Sequence, residues 1–95
     1  MKSKEYREAV DCYSKSIELN PNDAANYANR AMAYLQLKEY ARVVDDANIA
    51  IKMDSNYLKA YHRRGKAFLA LNKIELAIKD FQYILEKEPN NKDAM

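Results

Sequence analysis

The chain has 95 residues, a length that allows one small domain. Hydrophobic residues make up 48% of it and charged residues 32%, which excludes an intrinsically disordered protein. One Gly and two Pro supply too few turns for an all-β fold, and the net charge of +2 gives no general attraction to nucleic acid or membranes. With a lone cysteine, no apolar leader and no bilayer-length apolar segment, we expect a cytoplasmic or nuclear protein.

The first element, residues 4–23, is predicted to be one amphipathic helix and its end. Apolar side chains recur there at helical spacing. They are Tyr6, Ala9, Val10, Tyr13 and Ile17. The segment Asn20-Pro21-Asn22-Asp23 ends this helix, because Pro cannot continue one.

Residues 24–57 are predicted to form two helices. In the first of them Tyr27, Ala31 and Tyr34 recur at i, i+4 and i+7. The apolar stripe of the second helix consists of Tyr40, Val43, Val44, Ala47, Ala50 and Ile51. Asp54-Ser55-Asn56 marks its end without a proline.

Residues 58–91 are predicted to repeat that helix pair. Tyr61, Gly65 and Phe68 keep the spacing of the first helix, and Glu88-Pro89-Asn90-Asn91 ends the second. The stripe of the second helix consists of Ile74, Ala77, Ile78, Phe81, Ile84 and Leu85. Residues 92–95 are predicted to begin a following helix.

The chain superimposes on itself after a shift of about 34 residues, which we call the repeat period, and this internal repeat is its strongest signal. Lys4-Glu5-Tyr6 falls on Lys38-Glu39-Tyr40 under this shift. Further identities pair Tyr27, Arg30, Ala33, Leu35, Leu37 and Asp46 with Tyr61, Arg64, Ala67, Leu69, Leu71 and Asp80. Small residues alternate with large ones in each unit, so that paired helices can approach closely. The chain therefore contains about two and a half copies of one helix-pair unit.

In its period and its key positions this unit resembles the tetratricopeptide repeat family, whose pattern is W-x2-L-G-x2-Y, then A-x3-F, then P. The two full units fill these positions with Tyr27, Arg30, Ala31, Tyr34, Val43, Ala47 and Ser55, and with Tyr61, Arg64, Gly65, Phe68, Ala77, Phe81 and Pro89. The partial unit supplies Ala9, Tyr13 and Pro21. The resemblance implies an all-α fold, a right-handed superhelical stack of antiparallel helix pairs in one domain over 1–95. Because the chain starts in the middle of a unit, we expect it to be a fragment of a longer array.

Catalytic chemistry has little to work with in this sequence. Cys12 and His62 are each the only one of their kind, no serine has a neighbouring histidine, and one glycine cannot form a phosphate-cradling loop. Asp45 and Asp46 are adjacent in a helix and point to different faces, so we expect a solvated face rather than an acid–base pair. The sequence predicts a protein that is not an enzyme and that has no metal or cofactor.

The first helix of the last unit carries basic residues and no acidic ones. Lys59, His62, Arg63 and Lys66 lie at i, i+3, i+4 and i+7, so they share one helix face. Asn29 lies one repeat period before Arg63, and equivalent residues of stacked units are neighbours. We therefore expect Asn29, Lys59 and Arg63 to converge on a patch of the inner surface that suits a carboxylate. His62 adds a side chain whose charge changes near neutral pH.

Residues 27–31 and 59–65 resemble the carboxylate-clamp subclass of tetratricopeptide domains. Members of this subclass are co-chaperones that bind the C-terminal Glu-Glu-Val-Asp peptide of heat-shock seventy and heat-shock ninety chaperones. The resemblance implies that Asn29, Lys59 and Arg63 are three of the five clamp residues, and that the protein is a co-chaperone or adaptor. The other two, a Lys and an Asn, belong to a helix upstream of this sequence. Additional groove contacts are expected from Met32, His62 and Lys66.

The chain is also similar to the RNA polymerase II-associated co-chaperone group, in the run Arg63-Arg64-Gly65 and in residues 88–92. Three other interpretations stay open at this point. The basic residues can form a plain solvated face, or the chain can be a generic scaffold or a self-associating module that uses the unpaired apolar face of its first helix. That face consists of Tyr6, Ala9, Tyr13 and Ile17.

The third interpretation is single-stranded RNA binding through the basic residues and interleaved tyrosines. It is disfavoured, because Tyr27, Tyr34 and Tyr61 fall at core positions of the repeat rather than on an exposed platform. We therefore expect a protein partner and neither nucleic acid nor membrane.

Overall fold

The computed structural model describes residues 3–89, and this part of the chain contains five α-helices and no β-strand. The helices are α1 (Ser3–Leu19), α2 (Ala24–Gln36), α3 (Tyr40–Met53), α4 (Leu58–Ala70) and α5 (Ile74–Lys87). The predicted all-α fold is confirmed. Asn90, Asn91 and the helix predicted to begin at residue 92 lie outside the described residues. No described helix combines the length and the apolar character that a membrane crossing requires.

Short connections fold each helix back against the one before it. Consecutive helices pack against each other, and α2 also touches α4. The turn inside each complete pair contains one residue with positive φ, Lys38 at 61° and Asn72 at 63°, and these two residues occupy equivalent positions of the repeat. α1 ends before Pro21, and the Asp23 carboxylate begins α2 by accepting a 2.9 Å hydrogen bond from the Ala25 amide. The result is α1 followed by the pairs α2–α3 and α4–α5.

Alanines form most of the buried core, and their small side chains allow the helix axes to approach closely. The buried alanines are Ala28, Ala31, Ala33, Ala47, Ala50, Ala60, Ala67 and Ala77. Gly65 marks the closest approach in the last pair, because a Cβ there would lie 2.9 Å from the Phe81 ring. The preceding pair has Ala31 and Ala47 at the equivalent positions. The larger Phe81 is thus accommodated by the smaller Gly65 across the same contact.

A buried ion pair ties the first complete helix pair to α1. Arg30 on α2 donates from Nε and Nη2 to the Asp46 carboxylate on α3, at 2.8 and 2.7 Å. Its Nη1 donates to Ser14 Oγ on α1 at 3.0 Å. The guanidinium carbon lies 5.7 and 5.9 Å from the ring centroids of Tyr27 and Tyr34. One arginine therefore connects three helices, an arrangement that we call a three-helix bridge.

A second three-helix bridge repeats the first, one repeat period later. Arg64 on α4 donates from Nε and Nη2 to Asp80 on α5 at 2.9 and 2.6 Å, and from Nη1 to Asn48 on α3 at 2.9 Å. Its guanidinium carbon lies 5.4 and 5.8 Å from the ring centroids of Tyr61 and Phe68. The hydrogen bond to its carboxylate raises the pKa of the arginine in both bridges. Both arginines are therefore held firmly in the charged form.

The expectation that Asp45 and Asp46 share a solvated face is wrong for Asp46. Its exposure is 3%, and that of its counterpart Asp80 is 4%, whereas Asp45 is exposed. The two neighbours do point to different faces, but one of those faces is buried. An aspartate can be buried there because Arg30 supplies the opposite charge and both carboxylate oxygens accept its hydrogen bonds.

The two ends of the stack differ in the apolar surface that they expose. On α1 the residues expected to form an unpaired apolar face are half-buried. At the other end Leu69, Leu71, Ile74 and Ile78 are 39–46% exposed. Ile74 and Ile78 therefore do not belong to the core, contrary to the predicted stripe of α5. The equivalent residues one repeat period earlier, which lie inside the stack and pack against its core, are Leu35, Leu37, Tyr40 and Val44.

The three-helix bridge predicts a large difference between two adjacent aspartates. Asp46→Ala leaves the Arg30 guanidinium enclosed without its carboxylate, and we expect the free energy of unfolding to fall by about 2–4 kcal/mol. Asp45→Ala removes an exposed carboxylate of the same helix turn and should change it by less than about 0.5 kcal/mol. Urea unfolding followed by circular dichroism measures both. Equal losses for the two variants would contradict the bridge.

Candidate functional site

One face of α4 concentrates positive charge on a surface that its own helix does not neutralise. Lys59, His62, Arg63 and Lys66 lie on this face, and we call them the basic patch. Neither α4 nor α2, which touches it, contains an acidic residue. The carboxylates of the described chain belong to α1, α3, α5 and the connections. An anion is therefore the missing complement of this surface.

The equivalent face of α2 is uncharged. The residues one repeat period before the basic patch are Ala25, Ala28, Asn29 and Met32. Asn29 is the one polar side chain among them and can both donate and accept hydrogen bonds. The two contacting helices thus offer a charged face on α4 and a neutral, hydrogen-bonding face on α2.

Arg63 differs from every other arginine between residues 3 and 89. The others each have a carboxylate within salt-bridge distance, whereas none of the described carboxylates pairs with Arg63. The pairs are Arg7–Glu39, Arg42–Glu39, Arg30–Asp46 and Arg64–Asp80. The Nε of Arg63 is buried without a hydrogen-bond partner among the described residues. Burial lowers the pKa of Arg63, with an opposing effect from Tyr57, so that its charge lies where solvent stabilises it poorly.

His62 holds the Arg63 guanidinium from one side. Arg63 Nη1 donates to His62 Nδ1 over 3.1 Å. The imidazole also packs edge-on against Phe81, with ring centroids 6.2 Å apart and planes inclined by 66°. Phe81 in turn fits against Gly65. The position of the guanidinium therefore depends on packing between α4 and α5.

The remaining predicted site residues lie on the two contacting helices. Asn29 and Met32 are half-buried on α2, while Lys59 and Lys66 are exposed on α4. Among the predicted site residues, the structure shows a hydrogen bond between His62 and Arg63. The convergence of Asn29 with Lys59 and Arg63 is taken up below as part of the proposed function.

The two largest hollows lie away from the predicted site residues. One of about 520 Å³ is lined by residues 72–76 at the turn between α4 and α5. The other, of about 290 Å³, is lined by residues of α2 and α3 that include Arg30, Asp46 and Ile49. Neither is lined by Asn29 or by the basic patch, so a ligand of the patch binds on an open face. No cluster of metal-ligating side chains occurs within residues 3–89.

Sequence reasoning missed the roles of Arg30 and Arg64, which were noted only as departures from a family leucine. Their signal is present in the sequence. Each arginine precedes its aspartate by the same interval, and Arg30 and Asp46 recur one repeat period later as Arg64 and Asp80. A search for charged residues that repeat with the period of the fold identifies the bridges without a structure.

Comparison with known proteins identifies the repeated unit. Family models described as "TPR repeat" and "Tetratricopeptide repeat" match residues 1–38 and 58–91. The rat (Rattus norvegicus) serine/threonine-protein phosphatase 5 is 42% identical over 93 residues, which is 98% of this chain and 19% of that protein. The chain thus spans about a fifth of the length of that relative.

Solved structures of similar shape contain bound peptides. The first TPR of Spaghetti (RPAP3) bound to the HSP90 peptide SRMEEVD has a TM-score of 0.93 and 45% identity, over 96% of this chain and 72% of that one. The second TPR domain of human RPAP3 in complex with the HSP70 peptide SGPTIEEVD has a TM-score of 0.90 and 41% identity, over 96% and 76% of the two chains. The Arabidopsis OM64 TPR domain is 38% identical with a TM-score of 0.93, over 96% and 75%.

The contrast between two adjacent arginines gives a second prediction. Arg64→Ala leaves Asp80 buried without its partner and removes packing from two rings, so we expect a loss of about 2–4 kcal/mol in the free energy of unfolding. Arg63→Ala removes a guanidinium that has no paired carboxylate among the described residues and should cost less than about 0.5 kcal/mol. Urea unfolding of both variants tests this. A loss at Arg63 as large as that at Arg64 would show that Arg63 is structural.

Proposed function

This chain belongs to the tetratricopeptide repeat family, and we propose that it binds the acidic C-terminus of a protein partner at Asn29, Lys59 and Arg63. In this proposal the face formed by α2 and α4 captures an extended peptide through its terminal and side-chain carboxylates. The chain acts as an interaction module rather than as an enzyme, in a co-chaperone or adaptor role.

The observation that carries the proposal is Arg63, a half-buried cation for which no carboxylate partner is found within the described chain. Its buried Nε can donate one hydrogen bond that the described residues leave unmade. A buried donor without an acceptor costs free energy that a ligand carboxylate recovers on binding. Arginine is suited to this ligand because its planar guanidinium can engage both oxygens of a carboxylate.

Asn29 and Lys59 supply what such a ligand needs besides Arg63. Asn29 occupies the position of Arg63 one unit earlier, on a helix that contacts α4. Equivalent residues on packed helices are separated by roughly the 8–10 Å of an interaxial distance, which one extended peptide residue pair can bridge. Lys59 lies one helical turn from Arg63 and places a second, mobile cation beside it. The amide holds the peptide backbone, and the two cations balance neighbouring carboxylates.

The peptides in the similar structures suggest the partner. Both printed peptides, SRMEEVD and SGPTIEEVD, end in the same four residues with three acidic side chains. We propose that this chain binds the same C-terminal sequence of heat-shock seventy or heat-shock ninety chaperones. A single exposed free cysteine in a protein with these partners is consistent with a cytoplasmic setting.

The geometry gives less support to RNA as the ligand. Stacking of bases requires aromatic faces that are open to solvent. Tyr27 and Tyr34 lie against the Arg30 guanidinium, and Tyr61 lies against that of Arg64. Burial also raises the pKa of the Tyr61 phenol, which interacts with Tyr83. The tyrosines are therefore engaged inside the repeat.

Titration calorimetry with an acetylated Glu-Glu-Val-Asp peptide tests the proposal. We expect a Kd in the micromolar range, about −8 kcal/mol. Arg63→Ala and Lys59→Ala should weaken binding by about tenfold and by about three- to tenfold, because each removes a charge-assisted contact. Lys79→Ala, which removes one exposed lysine from α5, is the matched control and should change the Kd by less than twofold.

Amidation of the peptide C-terminus provides an independent check. It removes one carboxylate and leaves the side chains intact, so affinity should fall by at least tenfold. Binding should also weaken as salt rises from 50 to 500 mM, since the contacts are charged and open to solvent. If wild type and both patch variants bind equally, or if amidation has no effect, the assignment of these residues is wrong. Displacement of the peptide by single-stranded RNA at low concentration would instead favour RNA as ligand.

A further inference from the structure

We propose that protonation of His62 strengthens peptide binding, so that the affinity of this site rises as the pH falls through the neutral range. This inference rests on the proposed function and concerns the regulation of the same site. It follows from the direct contact between His62 and the arginine that carries the proposed binding.

The contact requires an unprotonated Nδ1. Arg63 Nη1 can only donate, so His62 Nδ1 accepts across the 3.1 Å that separates them. An accepting Nδ1 carries no proton, and the imidazole in this arrangement is therefore neutral. The neutral imidazole occupies one donor of a guanidinium that the proposed function assigns to the ligand.

Uptake of a proton from solvent at Nδ1 changes the site in two ways that act in the same direction. Nδ1 becomes a donor and can no longer accept from Arg63, which frees Nη1 for a ligand oxygen. The imidazolium also adds a positive charge one residue from Arg63 and one helical turn from Lys59 and Lys66. A bound carboxylate offsets the repulsion among these cations, so peptide binding and proton uptake favour each other.

The surroundings of His62 do not supply this effect from another titrating group. Phe81 faces it from α5, and Lys59, Arg63 and Lys66 share its helix face. The buried carboxylates of α3 and α5 are paired with arginines in the three-helix bridges. The other charged side chains of α3 and α5 are exposed, and they are Arg42, Asp45, Lys52, Glu75, Lys79, Glu86 and Lys87. The titratable groups of α2 are Tyr27, Arg30 and Tyr34, which do not change charge near neutral pH.

The pH window can be chosen so that histidine alone changes its charge. Asp and Glu side chains in peptides lose their protons near pH 4, and the thiol of a cysteine does so near pH 8.5. An acetylated Glu-Glu-Val-Asp peptide is therefore fully charged from pH 5.8 to 7.5. Histidine is the side chain that titrates between these limits, and the chain contains one.

Calorimetric titration of the chain with this peptide at pH 5.8 and pH 7.5 is the test. For the wild type we expect binding about three- to tenfold tighter at pH 5.8, the scale of one added charge near a protein surface. His62→Asn keeps a hydrogen-bond acceptor for Arg63 but cannot take up a proton, and its Kd should change by less than 1.5-fold. Titrations at pH 6.5 in two buffers of different ionisation enthalpy should reveal proton uptake on binding by the wild type and none by His62→Asn.

The outcomes separate this inference from the function on which it rests. A wild-type Kd that does not change with pH, or that weakens at pH 5.8, overturns the role of His62. A pH dependence that persists unchanged in His62→Asn assigns it to another group and also overturns that role. In both cases the peptide still binds and the proposed function stands. If the wild type binds no peptide at either pH, the proposed function itself has failed.

Discussion

The arginine–aspartate pairs of the three-helix bridges are the interaction on which the rest of the structure depends. Each guanidinium reaches its own helix partner, the helix before it and the two rings that enclose it. The alanine-rich core allows close approach but resists little sliding or rotation, because small side chains interlock weakly. The directional hydrogen bonds of Arg30 and Arg64 supply that restraint. They set how each inner helix is turned about its axis.

The rotation of α4 decides the fate of its two adjacent arginines. Neighbouring residues on a helix point about 100° apart, so fixing Arg64 toward Asp80 directs Arg63 to a different face. There it has His62 beside it and no carboxylate from the described chain. One arginine is thus satisfied within the fold, and the next keeps a donor for a ligand. The same division applies to Arg30 and Asn29 on α2, with an uncharged amide in place of the second cation.

Much of the fold follows from the sequence, and less of the site. The repeat period locates all five described helices, because apolar spacing and terminating residues are local properties. It did not reveal that Asp46 is buried, since this depends on Arg30 from another helix. It also placed Ile74 and Ile78 in the core, because periodicity identifies an apolar face but not whether a neighbour covers it. Helical spacing grouped Lys59 with Arg63, but the missing partner of Arg63 could be recognised only after every other arginine had been paired.

The most direct test of this account follows the arginine side chains themselves. Nuclear magnetic resonance of the ¹⁵N-labelled chain resolves the Nε–H group of each arginine during titration with a Glu-Glu-Val-Asp peptide. Nε of Arg30 and Arg64 already donates to aspartate, so these signals serve as internal references. The account predicts that the Arg63 signal moves to lower field as the peptide saturates the chain, while the two references stay nearly fixed. An Arg63 signal that does not move at saturation would contradict the central claim.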